Sequence, residues 1–323
     1  MNPRILIIGA NGQIGSDLGQ ALAARHGTGA VVLSDIAAPP AGVPAGMTHH
    51  MLDAIDADAL QRLVVQQGIN QIYLLAAALS ARGEQHPAWA WDLNMRSLLN
   101  VLELARQYRM RVFWPSSIAA FGPSSPKMMT PQTTAMDPSS VYGISKLAGE
   151  GWCAWYHRTH GVDVRSLRYP GLISWKTPPG GGTTDYAVEI FHAALQRGHY
   201  TSFLAADTAL PMMYMPDAIR ATLELMDAPS ECVRQRGAYN LAGLSFTPAQ
   251  IAQAIARQLP GFGIDYAPDF RQSIANSWPQ SIDDNEACKD WGWKAQYDLD
   301  ALVHDMLAHL RPLLLEAPQR KAA

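Results

Sequence analysis

The stretch Ile5-Leu6-Ile7-Ile8-Gly9-Ala10-Asn11-Gly12-Gln13-Ile14-Gly15 decides the fold. Four consecutive aliphatic residues read as a strand buried on both faces, since a half-exposed strand would alternate apolar and polar side chains. The glycines that follow mark a tight turn into a helix. Gly9 permits the turn, Gly12 lets a backbone approach a pyrophosphate on the helix N-terminus, and Gly15 lets the helix pack close to the strand. Asp35 ends the next strand, 20 residues beyond Gly15. An acid there accepts from the adenosine ribose hydroxyls and repels a 2′-phosphate. The candidate dinucleotide contacts in this stretch are Gly9, Asn11, Gly12, Gln13, Ile14, Gly15, Asp35 and Ile36.

Working outward, short apolar runs alternate with helical patterns. Ile5–Ile8, Ala30–Ser34, Gln71–Ala76, Arg111–Pro115 and Asp163–Tyr169 read as strands, and Ile14–His26, Asp56–Gln67, Pro87–Tyr108 and Val141–His160 as helices. Such alternation predicts an α/β fold, a Rossmann-type doubly wound parallel sheet. After Pro170 the texture changes. Lys176–Thr184 carries two prolines and three glycines, which makes it a loop. Helical patterns return at Tyr186–Arg197, Asp217–Asp227, Pro248–Gln258 and Leu299–Leu310, with a strand at Ala238–Leu241. The expected division is residues 1–169 as the cofactor-binding domain, rejoined by about 212–241, and residues 170–323 as a smaller C-terminal α/β substrate lobe.

Composition agrees with this plan. The 323 residues suffice for two domains at roughly 150 residues each. Lys and Arg number 25 against 28 Asp and Glu, a net charge of −3, which gives no electrostatic footprint for nucleic acid or an anionic membrane. The longest apolar run, Ile72–Leu79, is far short of a membrane span. Met1–Ile8 lacks the pattern of a secretory leader, and Cys153, Cys232 and Cys288 stand singly without a C-x-x-C pair. A cytoplasmic chain without disulfides or a zinc ribbon is expected.

The second signal is Tyr142-Gly143-Ile144-Ser145-Lys146. A spacing of four puts Tyr142 and Lys146 on one helix face, one turn apart. A phenol titrates near 10, too high for a base at neutral pH, and a neighbouring ammonium lowers that value by stabilising the phenolate. Upstream, Phe113-Trp114-Pro115-Ser116-Ser117-Ile118-Ala119-Ala120-Phe121-Gly122 places hydroxyls at the C-terminal end of a parallel strand, where sites of α/β sheets form.

These pieces together resemble the extended short-chain dehydrogenase/reductase family. The resemblance is carried by Gly9–Gly15, Asp35, Leu52-Asp53, Ala76-Ala77, Asn94, Pro115–Gly122 and Tyr142–Lys146. Arg168-Tyr169-Pro170-Gly171 and Pro216–Ala221 extend it over nearly the whole chain. It implies that Tyr142 is the base, and that Lys146 lowers its pKa while holding the nicotinamide ribose. It implies too that Asn94 orients a proton-relay water, Asp53 binds the adenine edge, and one of Ser116 or Ser117 holds the substrate hydroxyl. Ser117 fits the usual spacing to Tyr142, with Ser116 the alternative. Leu52, Ala76, Ala77, Tyr169, Pro170 and Leu172 complete the implied NAD contacts.

Within the family the chain is most similar to the NAD-dependent L-threonine 3-dehydrogenases. Leu74–Ala81 with Glu84 and Pro87, Tyr169–Ser174, Pro178–Ala187 and Leu210–Asp217 carry that likeness. It implies a substrate site from Ser80, Ser116 or Ser117, Tyr142, Gly182, Thr183, Thr184, Asp185 and Trp278, with Gly180–Gly182 as a lid. It also implies a homodimer through the helices Pro87–Tyr108 and Val141–His160. Nucleotide-sugar epimerases and dehydratases usually carry an Arg for the diphosphate where this chain has Leu210, and an apolar residue cannot neutralise a diphosphate. Such an epimerase is the rival enzyme reading. A non-catalytic dinucleotide sensor is the rival of another class, and the intact Tyr142/Lys146 pair argues against it.

The remaining candidates read as structure. His49-His50 lack ligand partners at metal spacing, so no metal is expected. Trp89, Trp91, Trp152 and Trp155 are expected to pack on helix faces. Met212, Met213 and Met215 read as core, and Asp283-Asp284 as a helix cap. Trp278 either walls the pocket or joins the core.

Overall fold

The computed structural model describes residues 3–39, 46–78, 80–178 and 182–315, apart from the side chains of residues 80–82 and 315. In the first half the strands are β1 (Ile5–Ile8), β2 (Val31–Asp35), β3 (Thr48–Met51), β4 (Gln71–Leu74), β5 (Arg111–Phe113), β6 (Ser116–Ser117), β7 (Asp163–Arg165) and β8 (Leu167–Tyr169). The helices between them are α1 (Gln13–His26), α2 (Ala57–Gln67), α3 (Ser80–Gln85), α4 (Pro87–Tyr108) and α5 (Val141–His160). Six strands form one parallel sheet in the order β3-β2-β1-β4-β5-β7. Order reverses on either side of β1, which leaves a crevice outside the strand C-termini.

The aliphatic run of β1 works as its composition demands. Ile5 and Ile7 enter the core beneath α1, while Leu6 and Ile8 enter the opposite core with α2, α4 and α5. Local signals end the helices. The Asp56 side chain accepts from Ala59 N at the start of α2, and Ser140 accepts from Gly143 N at the start of α5. Both helices close on left-handed glycines, Gly68 and Gly161.

Two features differ from the sequence reading. Asp163–Tyr169 is two strands broken at Ser166. β7 pairs with β5, whereas β8 pairs with β6 and with β12 (Tyr239–Asn240) in a separate three-stranded parallel sheet. β3 has no counterpart among the expected strands because Thr48-His49-His50-Met51 is a polar, partly exposed edge strand.

Beyond β8 the chain forms β9 (Gly171–Ile173), α6 (Tyr186–Arg197), β10 (His199–Ser202), β11 (Leu210–Tyr214) and α7 (Met215–Asp227). After β12 come β13 (Leu244–Phe246), α8 (Pro248–Gln258), β14 (Gly263–Tyr266), α9 (Arg271–Ser277), α10 (Asn285–Trp291) and α11 (Leu299–Leu315). A third core joins Ile173, Phe191, Leu210, Ile251, Trp278 and Leu307. α7 packs the other way: Met215, Ala218 and Leu225 share a core with Ile5, Ile7 and Leu18. Met212, Met213 and Met215 are all buried filling.

Trp89, Trp91, Trp152 and Trp155 are between 37% and 44% exposed. Trp152 and Trp155 pack on each other and on Tyr156 along α5. Among the described residues no helix is long and apolar enough to cross a membrane.

Candidate active site

Gly9 takes φ +85°, and a Cβ there would stand 2.6 Å from Ala76 N, so only glycine fits the turn. A Cβ on Gly15 would stand 2.7 Å from Ala10 Cα, which explains why this helix approaches the strand so closely. Gly12 caps α1 with no side chain over the helix end, and the first turn, starting at Gln13 and Ile14, carries no acid. Backbone N–H groups and the helix dipole there suit a pyrophosphate.

Beside this turn lies a cleft of about 570 Å³. It brings together the sequence candidates Gly9, Gly12, Asp35, Ile36, Leu52, Asp53, Ala76 and Ala77. Asp35 is held in place: its Oδ2 accepts from Asn11 N at 3.0 Å and its Oδ1 from Ala37 N at 3.1 Å. Asn11 Nδ2 donates to Ala37 O and Ala38 O, which orders the turn after β2. Asp53 Oδ1 accepts from Ile55 N at 3.1 Å. Trp89, Asp92 and Leu93 of α4 also line the cleft. They were missed because a helix pattern does not reveal which residues look past the helix end into the crevice. His49 Nε2 lies 3.2 Å from Asn11 Oδ1, and burial lowers its pKa against the opposing pull of Asp35. It serves the loop. Among the described residues no group of three or more His, Cys, Asp and Glu could hold a metal ion.

Tyr142, Lys146 and Glu150 share one face of α5. Lys146 is buried, donates to Pro115 O at 2.6 Å, and lies 4.5 Å from the Trp114 ring centroid and 5.4 Å from that of Tyr142. Burial holds its pKa down, to about 7, despite the opposing charge of Glu150. Burial pushes the Tyr142 phenol up to about 12, opposed by its hydrogen bond with the Ser117 side chain. The expectation that Lys146 draws the phenol down is therefore not met here. The ammonium is spent on Pro115 O and is itself largely desolvated.

The two serines of β6 diverge, as neighbouring strand residues must. Ser117 faces Tyr142, and its Oγ also accepts from Ala119 N at 3.2 Å. Ser116 points into the protein and donates to Glu150 Oε1 at 2.6 Å. Glu150 is paired in turn with Arg168, which bonds Gln132 O and Asn240 Oδ1. Glu150 carried no sequence signal of its own beyond its place one turn after Lys146.

Asn94 is buried and used as a joint. Its Oδ1 accepts from Ala78 N at 2.8 Å, and its Nδ2 donates to Ala78 O and to Ser145 Oγ. Both amide protons are thus committed to protein, which fixes the end of β4 against α5. Tyr169 lies inside the core with its hydroxyl on Thr222 and Ala218 O, so only its backbone is left to face a cofactor. Pro170 is buried and Leu172 is partly buried at the ends of β8 and β9.

Of the substrate candidates, Thr183 is buried, and Thr184 packs on Gly171, where an added Cβ would come within 2.6 Å of Thr184 Cγ2. Asp185 Oδ2 accepts from Gly182 N at 2.8 Å, which shapes a turn before α6. Gly180 and Gly181 lie outside the described residues. Ser80 begins α3. Trp278 belongs to the third core, 8% exposed. Leu210 is wholly buried in the third core. Tyr142 packs on that same core.

The profile of the NAD dependent epimerase/dehydratase family matches residues 5–242. An uncharacterized epimerase/dehydratase from Staphylococcus aureus is 45% identical over 320 residues, 98% of this chain and 97% of that one. The holo form of a GalE-like L-threonine dehydrogenase from Cupriavidus necator superposes with a TM-score of 0.93 at 66% identity, covering 95% of this chain and all of that one (100%). The L-threonine dehydrogenase of Clostridium difficile gives a TM-score of 0.94 at 44% identity, over 97% of this chain and 99% of the other.

Proposed function

The chain belongs to the NAD dependent epimerase/dehydratase family, within the extended short-chain dehydrogenases/reductases, and from that premise we propose that it oxidises the 3-hydroxyl of L-threonine to 2-amino-3-oxobutanoate. It is an NAD-dependent oxidoreductase. The cluster of Tyr142, Ser117 and Lys146 on and beside α5 carries the reading.

The residues fit the dinucleotide. The side-chain-free turn at Gly9–Gly15 would hold the pyrophosphate, Asp35 the adenosine ribose and Asp53 the adenine edge, with Leu52, Ala76 and Ala77 as apolar walls. When bound, NAD supplies the acceptor for the hydride leaving C3 and a cationic ring whose charge favours the phenolate of Tyr142. Ser117 holds the substrate oxygen beside Tyr142, which takes its proton. Lys146 adds the attraction of its charged form to that phenolate. Thr184 and the Gly182–Asp185 turn bind the amino-acid end.

Leu210 and the absence of a cation from it favour a small substrate over a sugar nucleotide. The working unit is a dimer through α4 and α5 in the cytoplasm, with residues 1–169 and about 212–241 serving the cofactor and the remainder the substrate. NADH formation on L-threonine, UDP-galactose and no substrate tests the reading. Turnover with threonine alone supports it, while conversion of UDP-galactose with none of threonine overturns it.

A further inference from the structure

Three consecutive residues, Pro115, Ser116 and Ser117, each meet the same face of α5. Ser117 hydrogen-bonds with the Tyr142 side chain. Lys146 Nζ donates to Pro115 O at 2.6 Å, and Ser116 Oγ donates to Glu150 Oε1 at 2.6 Å. Tyr142, Lys146 and Glu150 stand four residues apart, so they stack along the helix one turn after another. The first two contacts are made by groups that the proposed reaction employs, which leaves Glu150 as the fixed one.

Glu150 is also gripped from β8. Arg168 Nε donates to Oε1 at 2.9 Å and Nη2 to Oε2 at 2.7 Å, the two-pronged geometry that fixes a carboxylate in direction as well as distance. Arg168 stands opposite Ser116 in the parallel pairing of β6 with β8. Its Nη1 donates to Gln132 O and to Asn240 Oδ1 on β12, and the Asn240 amide donates to Thr130 O and Asp283 O. The guanidinium is thus held from behind while it holds Glu150. Both partners are buried. Such a pair is a poor device for stability alone, because desolvation costs much of what the attraction returns. What it does supply is a fixed relation between α5 and the strand pair β6 and β8.

We propose that Glu150 is a positioning residue, whose clasp with Arg168 fixes α5 along its own axis against β6 and β8 and so sets the meeting of Tyr142 with Ser117. This deepens the proposed reaction and rests on it for the roles of those two residues. A helix rises about 1.5 Å per residue, so a slide of a single residue carries the phenol out of hydrogen-bond reach of Ser117. The Ser116 hydroxyl adds to the seat of Glu150, but the pairing of β6 with β8 keeps the tie when that hydroxyl is removed.

Removing one partner leaves a buried charge unpaired, whereas Glu150→Met combined with Arg168→Met puts an apolar pair in its place and keeps the fold. In that double variant kcat should fall about 10- to 100-fold, the scale of a small misplacement of reacting groups. The KM for threonine and the dissociation constant of NAD should stay within about 3-fold, since the clasp touches neither ligand. Arg168→Lys keeps both charges and loses the fork, and it should show the same split between kcat and KM. Wild-type kcat in the folded double variant overturns the proposal, as does a loss carried by KM or by NAD affinity with kcat unchanged. A second readout needs no substrate. Crystal structures of both variants should show α5 displaced along its axis, with the Tyr142–Ser117 contact opened. Unchanged contacts of Tyr142 with Ser117 and of Lys146 with Pro115 O overturn the tie, whichever substrate the enzyme takes. A wild type inert to threonine, with the helix displaced in the variants, overturns only the choice of substrate.

Discussion

The Lys146 ammonium lies 5.4 Å from the centre of the Tyr142 ring, yet its hydrogen bond goes to Pro115 O at 2.6 Å. The pair shares a helix face without sharing a proton path. Burial holds each group in its neutral form over a wide range, the phenol up to about 12 and the ammonium down to about 7. The stability of the cofactor-free protein should register both shifts.

Between about pH 7 and pH 10 the unfolded chain keeps the Lys146 proton and the folded chain does not. Stability therefore rises with pH across that window. Above pH 10 the unfolded chain loses the Tyr142 proton while the folded chain keeps it, so that contribution falls. Urea midpoints measured from pH 6 to about pH 11 check this. Lys146→Met should show a smaller rise, and Tyr142→Phe a smaller decline. An undiminished rise in Lys146→Met would remove burial of the ammonium as its cause.

Tyr142→Phe keeps the ring in its half-buried seat against the second-lobe core. Under the proposed function it takes away the proton acceptor. Turnover should drop at least about 100-fold, the scale of general-base removal. NAD affinity, followed by fluorescence titration, should be nearly unchanged. Near-normal turnover would exclude Tyr142 from the chemistry.

Under the proposed function cofactor choice rests on Asp35, whose two oxygens are pinned by Asn11 N and Ala37 N. The carboxylate cannot turn away from a 2′-phosphate without leaving those donors unpaired. Strong NAD preference should follow. Ile36 is 69% exposed, so an Arg placed there meets no packing constraint. Asp35→Ser with Ile36→Arg should move kcat/KM toward NADP. Equal use of both cofactors by the unmodified enzyme would contradict the role of Asp35.

The adjacent serines should separate cleanly. Ser117→Ala removes a partner of Tyr142 and should lower kcat/KM by roughly 10- to 100-fold, the scale of a lost hydrogen bond to a charged group. Ser116→Ala removes a donor to the buried Glu150, which keeps Arg168. It should lower stability by about 1–2 kcal/mol with little change in kcat/KM. Thermal melts and kinetics on both variants decide, and the reverse pattern would return the substrate role to Ser116.

How much of this was legible in the sequence follows from what each signal depends on. The glycine turn was readable because sterics at Gly9 and Gly15 leave one residue type. Tyr142 and Lys146 were readable because helical spacing alone places them on one face. Ser116 and Ser117 were not separable, since the side each faces depends on the register of β6 against β8, a long-range pairing. The pKa of Tyr142 was missed for a similar reason. Spacing put Lys146 nearby, but the carbonyl that holds its ammonium comes from Pro115, on another element. β3 escaped because its strand character comes from pairing with β2 and not from its own residues.

The aromatic face of α4 and α5 gives the last expectation. The Trp152 and Trp155 rings meet edge to face at 5.8 Å, and Trp155 meets His160 at 5.0 Å, so the outer side of α5 is an ordered ladder rather than a set of loose side chains. With Trp91 and Ile144 also exposed, the helix pair presents apolar side chains that a partner would cover. A second copy docked by the same face would cover it, with two helices from each chain forming a four-helix layer. Trp152→Glu places a charge in the middle of that layer, and desolvating an unpaired carboxylate opposes association. Light scattering after size exclusion should give a dimer for the wild type and a monomer for Trp152→Glu. Tyr142 and Lys146 sit on a different face of α5, so the monomeric variant should keep NAD affinity within about threefold. A wild type that elutes as a monomer at micromolar concentration, or a variant that stays dimeric, would place the interface elsewhere.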